Sequence, residues 1–214
     1  MKDIILAWIS ASGKWTQSQK LLKYFGDKLK YFETGWILRS LESNDNAIWN
    51  YLKNITANWL LVKDEIIGSL FGVFLETLWS WDIVLADWCM RRLWQTKNIM
   101  EQLKNRGRDF IVIELTIPEE DVYKRLKNRI MCKSCGTNFN ALIHGEIDKC
   151  MECGWILYRR NDDIDMNAIK NRISVYKNDI VPALNMLNKM WYLVKVDGSQ
   201  SIDKVFKEIL VIVK

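Results

Sequence analysis

Histidine is almost missing from this 214-residue chain, and the single His144 rules out a histidine-rich metal centre or acid–base scheme. Long hydrophobic runs are missing too: none reaches the roughly 20 residues that cross a bilayer, so no membrane partner is expected. Glycine is scarce, at 10 residues, against the ~7% usual for globular proteins. No internal repeat or low-complexity linker breaks the chain, which argues against a solenoid or a disordered protein. The opening stretch MKDIILAWIS has an acid at position 3 and only a short apolar run. It reads as a first strand rather than a signal peptide, and a cytoplasmic protein is expected.

What is present is ordinary in bulk and odd in detail. Hydrophobic content of 49% and charged content of 27% suit a soluble globular protein, and the length suits one domain with small insertions. A net charge of +5 permits a polyanionic partner, a nucleotide as well as a nucleic acid. The oddity is tryptophan, present 11 times and in unusual company: TGW, ANW, WSWD, ADWC, CGW and KMWY. Several of these are turn contexts, where glycine, asparagine or aspartate is the physical choice.

Hydrophobic patterning predicts alternating strands and helices. KDIILAW (2–8), WDIVLAD (81–87) and FIVIEL (110–115) are continuous apolar runs of the kind buried in a parallel sheet. Helical spacing follows from Lys14, with Leu21, Leu22 and Phe25 on one face and Gly26 as a stop. Residues 37–78 carry further helical patterns, and a helix is expected after Pro118, where EEDVYKRLKNRI opens with acids. A long helix over 165–190, kinked near Pro182, precedes a strand at WYLVKVDG (191–198) and a closing helix at SIDKVFKEILVIV. This rhythm predicts an α/β fold with a mostly parallel sheet, and the cysteine-bearing segment 132–155 reads as an insertion into it.

Three groups of residues carry chemistry. With glycine in place of Trp8, residues 8–16 (W-I-S-A-S-G-K-W-T) have the G-x-x-x-x-G-K spacing of a phosphate loop, between a strand and a helix as required. Backbone N–H groups and the helix N-terminus would face the phosphates, and Lys14 would reach the β- and γ-phosphates. Thr16 lies one residue later than the usual Ser/Thr, and the plainer alternative is a polar turn. Cys132-x-x-Cys135 and Cys150-x-x-Cys153 form two knuckles suited to four thiolates around Zn²⁺; a disulfide pair is the alternative, and Cys89 reads as a plain buried residue. The arginines Arg39, Arg91, Arg92, Arg125, Arg129, Arg159, Arg160 and Arg172 are individually ordinary surface charges. Collectively they are what phosphoryl transfer needs to hold oxygens and neutralise charge.

Taken together, these segments resemble the adenylate kinases, in the long form with a zinc-bearing lid, and the likeness runs nearly end to end. W-I-S-A-S-G-K-W-T-Q (8–17) matches the phosphate loop, and F-E-T-G-W-I-L-R (32–39) resembles the family's monophosphate loop. N-W-L-L-V-K-D-E (58–65) resembles G-x-L-V-P-D-E, and A-D-W-C-M-R-R-L-W-Q (86–95) resembles D-G-F-P-R-T-x-x-Q. R-L-K-N-R-I-M-C-K-S-C-G-T-N-F (125–139) and L-Y-R-R-N-D-D (157–163) resemble the lid entry and exit, and V-D-G-S-Q (196–200) resembles the adenine-side loop. The resemblance implies a P-loop nucleoside-triphosphate-hydrolase-like, three-layer α/β fold. Its core would be 1–32, 63–125 and 163–214, with a monophosphate-binding insertion at 33–62 and the zinc lid at 126–162.

The implied reaction is ATP + AMP ⇌ 2 ADP, a step of purine nucleotide homeostasis, with Mg²⁺ accompanying ATP and a structural Zn²⁺ on Cys132, Cys135, Cys150 and Cys153. The resemblance gives Lys14, Arg91, Arg129, Arg160 and Arg172 to the phosphoryl group in flight. It gives Ala11, Ser12, Gly13, Lys14, Trp15, Thr16, Arg125, Asn138, Phe139 and Gln200 to ATP. AMP would be held by Thr34, Gly35, Arg39, Leu60, Leu61, Val62, Arg91, Gln95, Arg160 and Arg172, and Asp87 would organise Mg²⁺ through water. A monomer is implied, with no nucleic-acid partner.

Departures from the family pattern fall in the phosphate loop, on the monophosphate side and at the lid entry. Ser10 and Met90 replace prolines, Cys89 replaces an aromatic, Arg92 replaces a threonine, Trp36 replaces an aspartate, and Asn128 and Ile130 alter the lid entry. They leave a UMP/CMP kinase as an alternative within the class. From another class, a zinc-knuckle nucleic-acid-binding protein would use the cysteines and the net charge, but that segment has few basic residues. Trp8, Trp15, Trp59 and Trp88 fall where the family motifs have glycine, and the other seven stand where glycine is easily imagined. Reading all 11 as glycine raises glycine from 10 to 21. The triplet UGA means tryptophan in some genetic codes and glycine in another, so the pattern is that of a glycine-reading gene rendered with tryptophan. As written, the chain is expected to be impaired.

Overall fold

The computed structural model describes residues 1–42, 47–57, 62–87 and 89–214, with every side chain among them except those of 8, 39, 41, 42, 49, 56, 57 and 162. The first apolar run forms strand β1 (Asp3–Trp8), which turns through residues 9–13 into helix α1 (Lys14–Phe25). Strand β2 (Leu29–Glu33) and helices α2 (Thr34–Glu42), α3 (Ala47–Ala57) and α4 (Asp64–Glu76) follow. Then come β3 (Ile83–Asp87), buried at every position, α5 (Leu93–Asn105), β4 (Phe110–Thr116) and α6 (Glu119–Lys127). The cysteine segment folds as β5 (Arg129–Cys132), β6 (Asn138–Asn140), a single turn α7 (Ala141–His144) and β7 (Leu157–Tyr158). The chain ends through α8 (Asn161–Ile164), α9 (Met166–Val175), a π-helical turn (Tyr176–Ile180), α10 (Val181–Lys189), β8 (Leu193–Asp197) and α11 (Ile202–Val213).

Five strands make one parallel sheet in the order β2-β3-β1-β4-β8. Such a sheet must be covered on both faces, and its apolar runs supply side chains to each. On one face Ile5, Ala7, Val84, Ala86 and Val112 pack against Phe71 and Leu75 of α4, Ile99 and Leu103 of α5, and Leu184 and Leu187 of α10. On the other, Ile4, Leu6, Leu85, Ile113 and Val196 pack against Leu21 of α1 and Val205, Ile209 and Val213 of α11. The result is a three-layer α/β/α fold, with the parallel sheet that the alternation predicted and the layering that the resemblance implied.

This topology fixes where a ligand can sit. From β1 the chain leaves through α1 on one face, and from β3 through α5 on the other, so the order reverses between these neighbouring strands. The crevice beyond their carboxyl ends is the usual ligand position in an open α/β sheet. A third apolar cluster, Ile9, Val122, Leu126, Ile169 and Ile173, locks α6 and α9 against the turn that follows β1. The cysteine segment makes its own antiparallel sheet, β6-β5-β7.

Two details differ from the pattern reading. Residues 29–33 form edge strand β2, which the sequence hides because LKYFE is short and carries two charges, Lys30 and Glu33, among its five residues. The long carboxyl-terminal helix breaks at Tyr176, six residues before Pro182, which instead sits in the first turn of α10 where its missing N–H costs nothing. Helices α5 and α10 end alike. In α5 the Arg108 N–H donates to the Leu103 carbonyl at 3.0 Å, with Gly107 at φ 64° between them. In α10 the Tyr192 N–H donates to the Leu187 carbonyl at 3.0 Å, with Trp191 at φ 63°. Both are Schellman endings, whose left-handed residue is normally glycine.

Candidate active site

The turn after β1 has the backbone of an anion cradle. Ala11 (φ 64°) and Gly13 (φ 98°) are both left-handed, Ser12 between them is buried, and the turn is closed by the Ser12 N–H on the Ile9 carbonyl at 3.3 Å. Left-handed residues in such a turn gather N–H groups into a concave nest, and α1 adds its positive end. The first turn of α1 holds no acid that would oppose an anion. Trp15 and Thr16, at the start of α1, are half-buried.

Lys14, the first residue of α1, forms an ion pair with Asp87 at the end of β3, which the register sets beside Leu6 of β1. The Tyr31 hydroxyl donates to Asp87 Oδ2 at 3.1 Å, and the Thr34 hydroxyl donates to the Asp87 carbonyl at 3.0 Å. Burial pushes the Asp87 carboxyl up to about 6, against the opposing pull of Lys14. Asp87 Oδ1 is fully buried and accepts no hydrogen bond from the described residues. An orphaned carboxylate oxygen beside a phosphate cradle fits the water shell of a hydrated Mg²⁺.

The stretch after β3 supplies the monophosphate side. Burial pulls the Arg91 guanidinium down to about 9, still high enough to stay charged at neutral pH. Its backbone N–H donates to the Oε1 of buried Gln95 at 2.7 Å, which ties this turn to α5. Gly35 lies in the first turn of α2 beside Thr34. Val62 is buried against Leu52 and Ile67, whereas the Arg39 side chain and Leu60 and Leu61 lie outside the described residues.

A cluster of arginines gathers at α8 and α9. Buried Asp163 accepts from Arg129 Nε at 2.8 Å and Nη2 at 2.6 Å, and from Arg172 Nη1 at 2.8 Å. Burial, then the charges of Arg129 and Arg160, pull the Arg172 guanidinium down to about 9. Like charges crowded at a half-buried point mark a place where an anion is favourable. Asp163 was not singled out in the sequence, although the acids that follow Arg159 and Arg160 in RRNDD are a readable signal for it.

Arg125 links the two loops at the carboxyl edge. It donates to the Ala11 carbonyl at 3.4 Å and to the Gly198 carbonyl at 3.1 Å. Gly198 itself comes so close that a Cβ there would lie 2.7 Å from the Ser12 carbonyl oxygen. Gln200 donates to the Asp197 carbonyl at 3.2 Å and to Glu208 at 3.0 Å. Asn138 is half-buried and donates to the Gly136 carbonyl at 3.2 Å. The Phe139 ring turns inward, packing with Cys132 and Cys150 and meeting His144 edge-on.

The four cysteines converge as their spacing predicts. Their Sγ atoms all lie within 4.8 Å of one another, with contacts of 3.4 Å (Cys132 to Cys153, Cys135 to Cys153) and 3.5 Å (Cys135 to Cys150). Zinc–sulfur bonds of about 2.3 Å in a tetrahedron give sulfur separations of roughly 3.8 Å, within the range these four sulfurs span, so the set fits zinc with small side-chain shifts. The Thr137 hydroxyl lies 3.0 Å from the Cys135 sulfur, placed to donate to a thiolate there. Cys89 is fully buried elsewhere, in the sheet core.

Comparison with known proteins agrees with this geometry. No family model matches the chain. Three curated relatives carry the name adenylate kinase. That of Petrotoga mobilis is 31% identical, covering 95% of this chain and 93% of its own length. That of Archaeoglobus fulgidus is 31% identical, covering 97% and 95%. That of Elusimicrobium minutum is 32% identical, covering 96% and 95%. With a phosphate cradle at the sheet switch point, a cluster of half-buried arginines and these full-length relatives, the chain belongs to the adenylate kinase family.

Proposed function

We propose that the protein transfers the terminal phosphoryl group of ATP to AMP, giving two ADP, and works as a cytoplasmic monomer. The observation that carries this reading is the set of half-buried cations, Lys14, Arg91, Arg129 and Arg172, together with the anion cradle at the carboxyl edge of the sheet. In the proposed step an AMP phosphate oxygen bonds to the γ-phosphorus of ATP while the bond from that phosphorus to the β–γ bridging oxygen breaks, and ADP leaves. No enzyme nucleophile takes part, so catalysis is positioning and charge stabilisation.

Residue roles follow from place. The turn 9–13 and Lys14 hold the ATP phosphates, Arg125 and the 197–200 loop border its nucleoside, and Thr34, Arg39, Arg91 and Gln95 hold AMP. Arg129, Arg160 and Arg172 face the group in transfer, with Asp163 holding the first and last in register. Asp87 would hold Mg²⁺ through water, and that ion supplies charge neutralisation on the phosphates when bound. Residues 126–162, built on the four cysteines and zinc, would act as the lid that excludes water, and residues 33–62 as the monophosphate-binding insertion. Nothing observed favours a UMP/CMP kinase or a nucleic-acid-binding protein.

We further propose that the tryptophans stand in glycine positions. Trp36, Trp79, Trp81, Trp94, Trp155 and Trp191 are exposed and Trp15 is half-buried, so none of these large side chains contributes to the core. The left-handed Trp191 occupies the place that Gly107 fills in α5. Ordinary UGG codons at the 11 positions would overturn this reading. The activity is tested by ADP formation from ATP with AMP, CMP, UMP or GMP, on the chain as written and with all 11 positions as glycine. The expected result is turnover with AMP in the glycine form and little in the tryptophan form; no turnover with any monophosphate defeats the proposal.

A further inference from the structure

Arg92 departs from the family pattern, which has threonine there, and it is the residue next to Arg91. It stands at the N-cap of α5 in an extended conformation (φ −120°, ψ 158°), and its side chain does not cap the helix. Its guanidinium meets two carboxylates from distant parts of the chain. Nη1 lies 3.4 Å from Asp64 Oδ1, and Nε lies 3.8 Å from Asp179 Oδ1. Asp64 is the first residue of α4, where the chain re-enters the core from the insertion at 33–62. Asp179 belongs to the π-helical turn that follows α9, the helix of Arg172. That turn is also fixed to the sheet, because the Tyr176 hydroxyl donates to buried Glu114 at 2.5 Å.

The three partners therefore join three segments at one point: the exit of the insertion, the turn that carries Arg91, and the turn behind Arg172. A π-turn inside a helical stretch is a frequent companion of functional sites, and it needs side-chain anchors to hold its register. We propose that Arg92 is a positioning residue for the monophosphate side, clamping α4 and the π-turn so that Arg91 meets the AMP phosphate. This inference rests on the adenylate kinase reading of the site. The contacts are half-exposed, so the clamp is modest in strength and screened by salt.

The test uses steady-state kinetics of the full-length glycine form with varied AMP and varied ATP. Arg92→Thr should raise KM for AMP about two- to fivefold, the range expected of a partly exposed ion pair. KM for ATP should stay within error, and Arg92→Lys should restore most of the effect. Asp64→Asn should raise KM for AMP in the same direction but by less than Arg92→Thr, since Asp179 still meets the guanidinium, and the double variant should be no worse than Arg92→Thr alone, as for members of one interaction. The parent's rise in KM for AMP with added salt should flatten in Arg92→Thr. Equal changes in both KM values, additive single effects or an unchanged KM for AMP would each overturn the clamp. Absence of AMP-dependent turnover in the parent would instead defeat the activity itself.

Discussion

A tryptophan at φ 63° with 94% of its surface in water gains almost nothing from its indole and is strained through its Cβ. The left-handed conformation costs an L-residue roughly 1–2 kcal/mol, and glycine gives back part of that through its freer unfolded chain. Trp191→Gly should therefore stabilise the protein by about 0.5–1 kcal/mol, read from the urea midpoint at constant slope. A loss of the same size would mean that the indole packs somewhere the structure does not place it. Asp87 makes a second prediction at this scale. Its carboxyl loses its proton as pH rises through about 6, and only the ionised form can order the water of a metal ion. Activity in kcat/KM should be full above that pH and fall about tenfold per unit below it, and Asp87→Asn should remove that limb along with most of the activity. Lys14 and the four cysteines were singled out from residue type and spacing, whereas Asp87 and the part given to Arg91 came only through the resemblance of their segment to the family. Tyr31 was not singled out, because a lone phenol means nothing until folding brings it to Asp87, and Asp163 was passed over although the acids of RRNDD carry a signal for it.

Elements were legible where the apolar pattern was strong. β1, β3 and β4 are long runs that only a covered parallel strand can bury, and α6 and α11 show their start signals. β2 and the π-turn were hidden, the first because an edge strand needs few apolar residues, the second because local sequence carries no signal for a wider helical turn. At the carboxyl edge, the loop after β8 touches the phosphate turn backbone to backbone. Gly198→Ala would set a Cβ 2.7 Å from the Ser12 carbonyl and 3.3 Å from the Thr116 carbonyl, and backbone cannot move aside cheaply. That variant should lose about 1–3 kcal/mol in denaturant and raise KM for ATP more than KM for AMP. The small sheet β6-β5-β7 has only Cys132, Phe139 and Cys150 as its buried centre, too little apolar surface to hold itself together. Metal analysis should find one zinc per chain. Chelation should expose the 129–158 backbone to hydrogen exchange while the parallel sheet stays protected; an unchanged exchange pattern would count against zinc.

At the scale of the whole molecule, the sheet order brings the ends of β1 and β3 together, and the cluster around Ile9 holds α6 and α9 beside them. Residues from positions 14, 87, 91, 125 and 172 can thus share one edge although the sequence scatters them. The alternation of strand and helix made this architecture readable in advance. The distances between its parts were not, because they depend on which helix covers which face. The reaction needs both substrates on that edge with water shut out. The most direct measurement is ³¹P NMR of ATP, AMP and Mg²⁺ with the glycine form and with the chain as written. Phosphoryl transfer predicts that ATP and AMP disappear in equal amounts as ADP grows at twice the rate, without inorganic phosphate, and that the tryptophan form is far slower. Release of inorganic phosphate in place of ADP, or no change with the glycine form, would contradict it.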